Sequence, residues 1–208
     1  GFTPESLRPW GRGFAVRVGG VETRYGTLSE ACEAAPAGRT DEILNDGPFH
    51  VLPVVLKRPL AIRAAAGVRP KLALSPLAPT FATMLETNFP LVAEGIEFHR
   101  LDRQPWTIKS EPPYVIRSNG GGVHLANCRF VIRGDGVAVV AQGAPSFGAP
   151  NCEFLHGGSV FWMGGPSLSA AGGGHICLSN CVAAGGGSGL TLWYMKPEWR
   201  DVAVRLER

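Results

Sequence analysis

Carboxylates suited to catalysis are scarce in this sequence of 208 residues, which contains five aspartates, at positions 41, 46, 102, 135 and 201. Acid-base and calcium-dependent chemistry both need carboxylates grouped on one surface. No two of these aspartates occupy matching positions in the repeat described below. The sequence therefore argues against a carboxylate-based active site.

Metal-ligand and phosphate-loop patterns are missing as well. The histidines show no HxH or HExxH spacing, and the five cysteines form no CxxC pair. The glycine run 172–174 is not followed by the Lys-Ser/Thr of a phosphate loop. We therefore expect neither a metal nor another cofactor.

Charge and hydropathy also exclude some partners. The 20 lysines and arginines are spread along the sequence among 17 acidic residues and form no basic stripe. A nucleic-acid partner is therefore not expected. No apolar run is long enough to cross a bilayer, and the first residues lack the layout of a signal peptide. Membrane insertion is not expected, and the compartment stays open.

Turn-forming residues are abundant, with 28 glycines and 17 prolines, and they accompany a repeat. The pair Asn127-Cys128 recurs as Asn151-Cys152 and Asn180-Cys181, at separations of 24 and 29 residues. Gly95-Ile96 is a degenerate earlier copy. Repeats of this length are typical of the coils of a three-sided β-helix. The chain is therefore predicted to be all-β and solenoidal.

Fixed offsets from each cysteine predict which side chains point inward, because a strand alternates its faces. Apolar residues occur nine and eleven positions on in every copy, namely Val137, Phe161 and Leu190, then Val139, Met163 and Leu192. The intervening residues are predicted to face outward: Ala138, Trp162 and Thr191.

The first residues predict a cover for one end of the solenoid. Residues 14–18 and 21–23 resemble the two strands of a small hairpin. Thr27 and Glu30 form a capping box that predicts a helix through Ala35 with Leu28, Ala31 and Cys32 on one face. A helix placed over the first coil would protect its exposed edge.

Three segments together resemble the entry to pectin-lyase-like right-handed parallel β-helices, namely residues 27–31, residues 34–38 and the strand at residues 60–63. The resemblance covers about 14–208. It implies a hairpin segment at 1–26, a capping helix at 27–36 and β-helix coils at 37–208 in one domain. Members of this fold include carbohydrate-active enzymes and non-catalytic modules of large bacterial proteins, among them Ser/Thr kinases. Fold alone does not transmit activity.

The repeated pairs are interpreted as structural. Asparagine tolerates a left-handed backbone and can hydrogen-bond to its copies, so Asn127, Asn151 and Asn180 predict an asparagine ladder. The alternative is a binding ladder. The repeated cysteines 128, 152 and 181 are predicted to be reduced core residues rather than a metal or redox stack.

The end of the sequence predicts a strand over 202–208, which alternates like the opening of another coil. We expect either that the natural protein continues past it or that a partner covers this edge. Self-association through the edge is one form of the second case.

Catalytic candidates are limited to Asp135 beside Arg133, in a Gly-Asp-Gly segment that is foremost a turn. Aromatic residues give a second candidate site, with Trp162 and Trp193 predicted on one outer face and Tyr194 and Trp199 close by. Exposed indoles on a rigid sheet suit sugar stacking or a protein partner. The alternative is that neighbouring loops bury them.

Two functions follow from these observations. The first is a non-catalytic recognition or scaffold module of a larger bacterial protein, which binds carbohydrate or protein on the aromatic face. The second, implied by the resemblance alone, is a polysaccharide lyase or glycoside hydrolase.

Overall fold

The computed structural model describes residues 11–79, 82–101, 113–134, 136–142, 146–155, 157–163, 174–185, 188–192 and 202–207. Over these residues the chain forms a parallel β-solenoid with one short helix near its start. The all-β solenoid that the Asn-Cys repeat predicts is therefore confirmed.

Three sheets run along the solenoid, and each coil adds one strand to each sheet. With strands numbered along the chain, the first sheet comprises β1 (Phe14–Val18), β2 (Val21–Tyr25), β3 (Thr40–Ile43), β6 (Leu60–Ala64), β9 (Leu91–Glu94), β12 (Val123–Ala126), β15 (Ser146–Pro150), β18 (Gly174–Ser179) and β21 (Val202–Glu207). The second comprises β4 (Phe49–Val51), β7 (Lys71–Leu74), β10 (Glu97–Arg100), β13 (Arg129–Ile132), β16 (Glu153–Leu155) and β19 (Val182–Ala184). The third comprises β5 (Val54–Leu56), β8 (Leu85–Thr87), β11 (Tyr114–Ser118), β14 (Val137–Ala141), β17 (Ser159–Met163) and β20 (Ser188–Leu192).

The predicted hairpin and helix are both present at the start. Strands β1 and β2 pair antiparallel, and β1 also pairs antiparallel with β3 of the first coil. Helix α1 (Leu28–Ala34) begins at a capping box in which Thr27 and Glu30 satisfy each other's backbone N–H groups. It ends one residue earlier than predicted and buries the expected face of Leu28, Ala31 and Cys32.

The predicted asparagine ladder lies at the corner between the first and second sheets. Asn127, Asn151 and Asn180 have φ values of 54°, 54° and 48°, in the left-handed region that asparagine tolerates. Asn151 Nδ2 donates to Asn127 Oδ1 at 3.3 Å, and Asn180 Nδ2 donates to Asn151 Oδ1 at 2.7 Å. Gly95 takes the same corner with a φ of 71°, which explains why glycine replaces asparagine in the earlier copy.

The interior is packed by side chains that repeat from coil to coil. Phe98, Phe130 and Phe154 stack along the second sheet with ring centroids 4.9 and 5.1 Å apart. Cys128 and Cys152 are buried in the same core, and Cys181 packs against it from a partly buried position. None of these three cysteines forms a disulfide in the structure.

One part of the predicted register is wrong. Val139, eleven residues after Cys128, pairs in register with Phe161, which is nine residues after Cys152. The earlier coil is thus two residues longer between its cysteine and the third sheet. A two-residue difference alone does not change which face a residue takes. The alternation is instead interrupted locally: Ala138, predicted to face outward, lies in the main core beside Val139, whereas Val137, predicted to face inward, lies in a separate outer cluster.

The interior also contains a charged residue that sequence reasoning did not identify. Arg100 points inward in register with Ile132 and is fully buried. Its guanidinium donates to the carbonyl oxygens of Ala82 and Tyr114. These bonds tie the second sheet to the start of the third from inside the solenoid.

The predicted last strand is present as β21, which pairs in parallel with β18. Its side chains remain largely open, since Leu206 is 72% exposed. Within the described part of the chain, no helix is long and apolar enough to cross a membrane.

A charge placed in the cysteine stack should destabilise the fold. We expect Cys152→Asp to lower the free energy of unfolding by roughly 3 to 5 kcal/mol, because the new carboxylate would be buried without a partner. Val182→Asp adds the same group on the next coil at a position that is 56% exposed, and it should have a much smaller effect. Equal melting temperatures for the two variants would contradict the core position of Cys152.

Candidate functional site

The aromatic residues proposed from the sequence are only partly described. Trp162 lies on β17, in register with Val140 on one side and Thr191 on the other. Trp193, Tyr194 and Trp199 lie outside the described residues. The structure therefore locates one member of the predicted aromatic face.

Trp162 belongs to an apolar cluster on the outer side of the third sheet. It packs against Tyr114, Val137 and Val140, which are buried separately from the main core. The Tyr114 and Trp162 ring centroids are 6.3 Å apart with planes inclined at 55°. Trp162 is only partly exposed, and its indole Nε1 is buried. The surroundings of Trp162 are thus a packed patch with part of the indole at the surface, rather than a flat open platform.

Charged side chains continue this outer face toward the first coil. Arg117 stands 6.0 Å from the centroid of the Tyr114 ring, within cation-π range. Its Nε donates to Asn119 Oδ1 at 3.2 Å, and Asn119 Nδ2 donates to Glu86 Oε1 at 2.8 Å. The face therefore combines aromatic, cationic and amide groups at fixed positions on a rigid sheet.

The catalytic alternative is not assembled by the described residues. Arg133 is exposed just after β13, and its backbone N–H bonds the Arg100 carbonyl at 2.9 Å. Asp135 lies outside the described residues. Among the residues that are described, no three histidine, cysteine or acidic side chains group as metal ligands.

A polar site that the sequence reasoning missed lies on the outer face of the second sheet. The row formed by Lys71, Glu97, Arg129 and Glu153 alternates in charge from coil to coil. Arg129 lies 2.9 Å from Glu153 and 3.8 Å from Glu97, so it bridges the two acids. The signal was present in the sequence, since each of the last three follows a corner Asn-Cys or Gly-Ile pair directly.

Glu97 is the most enclosed member of this row, with its side chain only 8% exposed although it faces outward. His99, two residues along the same strand, hydrogen-bonds Glu97 Oε1 through Nε2. Burial alone would raise the pKa of Glu97, but the hydrogen bond from His99 and the charges of Lys71 and Arg129 hold that pKa below its usual range. The site therefore contains a shielded carboxylate that stays ionised and orients an imidazole.

A second enclosed carboxylate lies beneath the capping helix. Asp41 on β3 points inward opposite Val16 and is fully buried. Among the described residues, neither carboxyl oxygen has a partner of good hydrogen-bond geometry, and the Cys32 thiol of α1 is the polar group that faces it. Burial raises the pKa of Asp41 to about 6, and the contact with Cys32 offsets this only in part.

Comparisons with protein-family models, curated proteins and solved structures found no match for this chain.

The buried carboxyl of Asp41 should make stability fall as the pH rises. A pKa of about 6 in the folded state, against about 3.9 in the unfolded chain, costs about 3 kcal/mol between pH 4 and pH 8. The loss begins near the unfolded pKa and is complete above the folded one. Asp41→Asn should therefore gain stability relative to the original protein as the pH rises, measured by urea unfolding at each pH.

The matched control for this measurement is Glu42→Gln. Glu42 adjoins Asp41 but forms a surface ion pair with Arg17 at 2.6 Å, so its removal should not produce a gain at high pH. A difference between Asp41→Asn and the original protein that stays constant from pH 4 to pH 8 would contradict the titration of Asp41.

Proposed function

We propose that this protein is a non-catalytic recognition or scaffold module, and that it binds a carbohydrate or protein ligand on the outer face of the third sheet. The observation that carries the proposal is the position of Trp162, at the surface of a packed aromatic and aliphatic patch on a rigid parallel sheet. Such a ring loses little conformational freedom on binding, and aromatic anchors commonly dominate interface energetics.

The neighbouring groups favour recognition over chemistry at this face. Tyr114 supports the indole from within the patch, and Arg117 adds a guanidinium to the same outer row, two coils from Trp162. Aromatic and arginine side chains are both enriched in binding sites. Arg117 is already held by Asn119, so the face is preorganised for binding. The module context in a larger bacterial protein rests on the resemblance to pectin-lyase-like β-helices.

The alternative function, a polysaccharide lyase or glycoside hydrolase, rests on the same resemblance. An activity screen on acidic and neutral polysaccharides separates the two proposals. Product formation that depends on Arg133 and Asp135 would replace the recognition proposal, because these are the only catalytic candidates that the sequence offered.

A glycan array and pull-down with the original protein would identify the ligand, and Trp162→Ala would locate its site. We expect this substitution to weaken binding by about 2 kcal/mol, typical of an aromatic anchor. Trp162→Phe should retain part of the affinity because it keeps an aromatic face. Val55→Ala is the matched control, since Val55 lies in the same outer row and is 60% exposed.

Circular dichroism and thermal melting must accompany these measurements. A folded Trp162→Ala variant with unchanged binding would contradict the proposed site. An unfolded Trp162→Ala variant would show that the indole is needed for packing. Affinity retained by Trp162→Phe would then reflect the intact fold and would not support recognition.

A further inference from the structure

Strand β2 ends the first sheet, and its outer edge has no paired strand among the described residues. The strand pairs with β1 on one side only, and the sheet order places it last. Thr23, in the middle of β2, is exposed, so this edge lies open to solvent. An open strand edge is a template for pairing with another chain. The capping helix thus leaves one edge of this end available.

The hairpin turn determines which backbone groups face the open edge. Gly19 and Gly20 have φ values of 58° and 83°, the type I′ geometry of a two-residue hairpin, and the residues flanking them pair in register. Such a flanking pair exchanges backbone hydrogen bonds, and antiparallel strands then bond at every second residue. The odd-numbered residues of β2 therefore bond to β1. Glu22 and Arg24 direct their N–H and C=O groups to the open edge.

A second copy of the chain can satisfy all of these groups. If two β2 strands pair antiparallel about a two-fold axis at Thr23, Glu22 lies opposite Arg24 of the second copy, and this pair occurs twice. Each pair would exchange two backbone hydrogen bonds. The next N–H along the chain, that of Gly26, is already bonded to Glu30 Oε2 at 3.1 Å, which limits the open edge to Glu22 and Arg24.

The same register is complementary in charge. Residues directly opposite each other on antiparallel strands share a face, so the Glu22 carboxylate meets the Arg24 guanidinium of the second copy on both sides of the axis. Within one molecule Arg24 reaches Glu22 Oε1 through Nε alone, at 2.7 Å, and its two Nη nitrogens bond to no other described residue. Arg17 holds Glu22 Oε2 at 2.8 Å, which fixes the position of the carboxylate.

Charge also excludes the neighbouring registers. A shift of two residues in either direction keeps the same side chains on each face but places Glu22 opposite Glu22 or Arg24 opposite Arg24. Like charges directly opposite each other on paired strands are destabilising. The charge pattern of β2 is therefore matched to a second copy of itself in one register.

The other face of β2 adds an apolar contact. Val21 is 67% exposed, and in this register it lies opposite Tyr25 of the second copy, a residue that packs against the main core. A strand of five residues is short, so the contact buries less surface than a permanent dimer needs. The expected association is weak and reversible.

We propose that β2 is a self-association edge, which pairs antiparallel with β2 of a second copy about a two-fold axis at Thr23. The pairing joins the first sheets of two molecules into one continuous sheet. This surface is separate from the Trp162 patch and does not depend on the function proposed above.

The test is analytical ultracentrifugation of the original protein from about 10 µM to about 1 mM at low salt. We expect a monomer–dimer equilibrium that added sodium chloride weakens, because the charge pairs are exposed. NMR hydrogen exchange over the same concentrations reports the edge itself. The amides of Glu22 and Arg24 should gain protection as the dimer forms, whereas the amide of Thr23, which faces β1, should be protected throughout.

Two charge reversals test the register. Arg24→Glu makes the edge wholly acidic and Glu22→Lys makes it wholly basic, so each variant alone should associate at least about tenfold more weakly than the original protein. An equimolar mixture of the two should recover association, since every opposed pair is then of opposite charge. Arg205→Glu is the matched control, because it reverses an exposed arginine on β21, the strand at the other end of the first sheet.

The proposal is overturned if the original protein is monomeric at about 1 mM, or if the mixture associates no better than its components. Loss of association in Arg205→Glu but not in Arg24→Glu would assign the contact to β21 instead. Circular dichroism establishes that each variant is folded. If a charge reversal fails to fold, Thr23→Lys replaces it, since it changes an exposed side chain and places two lysines at the axis; unchanged association of this variant would also overturn the proposal.

Discussion

The in-register pairing of parallel strands between successive coils is the constraint on which the other features of this protein depend. Each coil must return to its starting point displaced by one strand spacing, so each side chain is stacked on its counterpart in the next coil. Inside, this stacking produces the phenylalanine column of the second sheet. Outside, it produces rows in which a site is assembled from residues far apart in sequence.

The corners were predictable from sequence because they use a distinctive residue pair. Asparagine at a left-handed corner, followed by a buried cysteine, recurs with little variation, and the structure confirms this chemistry at Asn127, Asn151 and Asn180. The register after each corner was less predictable, because turns can gain residues without changing the pattern of apolar positions. Two extra residues after Cys128 left the positions of Val137 and Val139 apolar. A local break in alternation, with Ala138 and Val139 both in the core, places Val137 in the outer cluster.

The candidate sites were harder to predict because they depend on contacts across coils. Trp162 could be placed on an outer face by alternation alone, but its packing against Tyr114 depends on a strand from an earlier coil. Glu97 and His99 appear unremarkable in sequence. Their environment arises only when Lys71 and Arg129 come alongside from neighbouring coils. Asp41 could not be recognised as a buried acid until α1 was placed over it.

The alternating charges along the second sheet restrict how this solenoid can change length during evolution. Lys71, Glu97, Arg129 and Glu153 each stand beside residues of opposite charge in the row. Loss of the single coil that carries Glu97 would bring Lys71 beside Arg129, and like charges directly opposite each other on paired strands are destabilising. Loss of two adjacent coils would instead restore an opposite pair, Lys71 beside Glu153. Along this row, coils are therefore more readily gained or lost in pairs than singly.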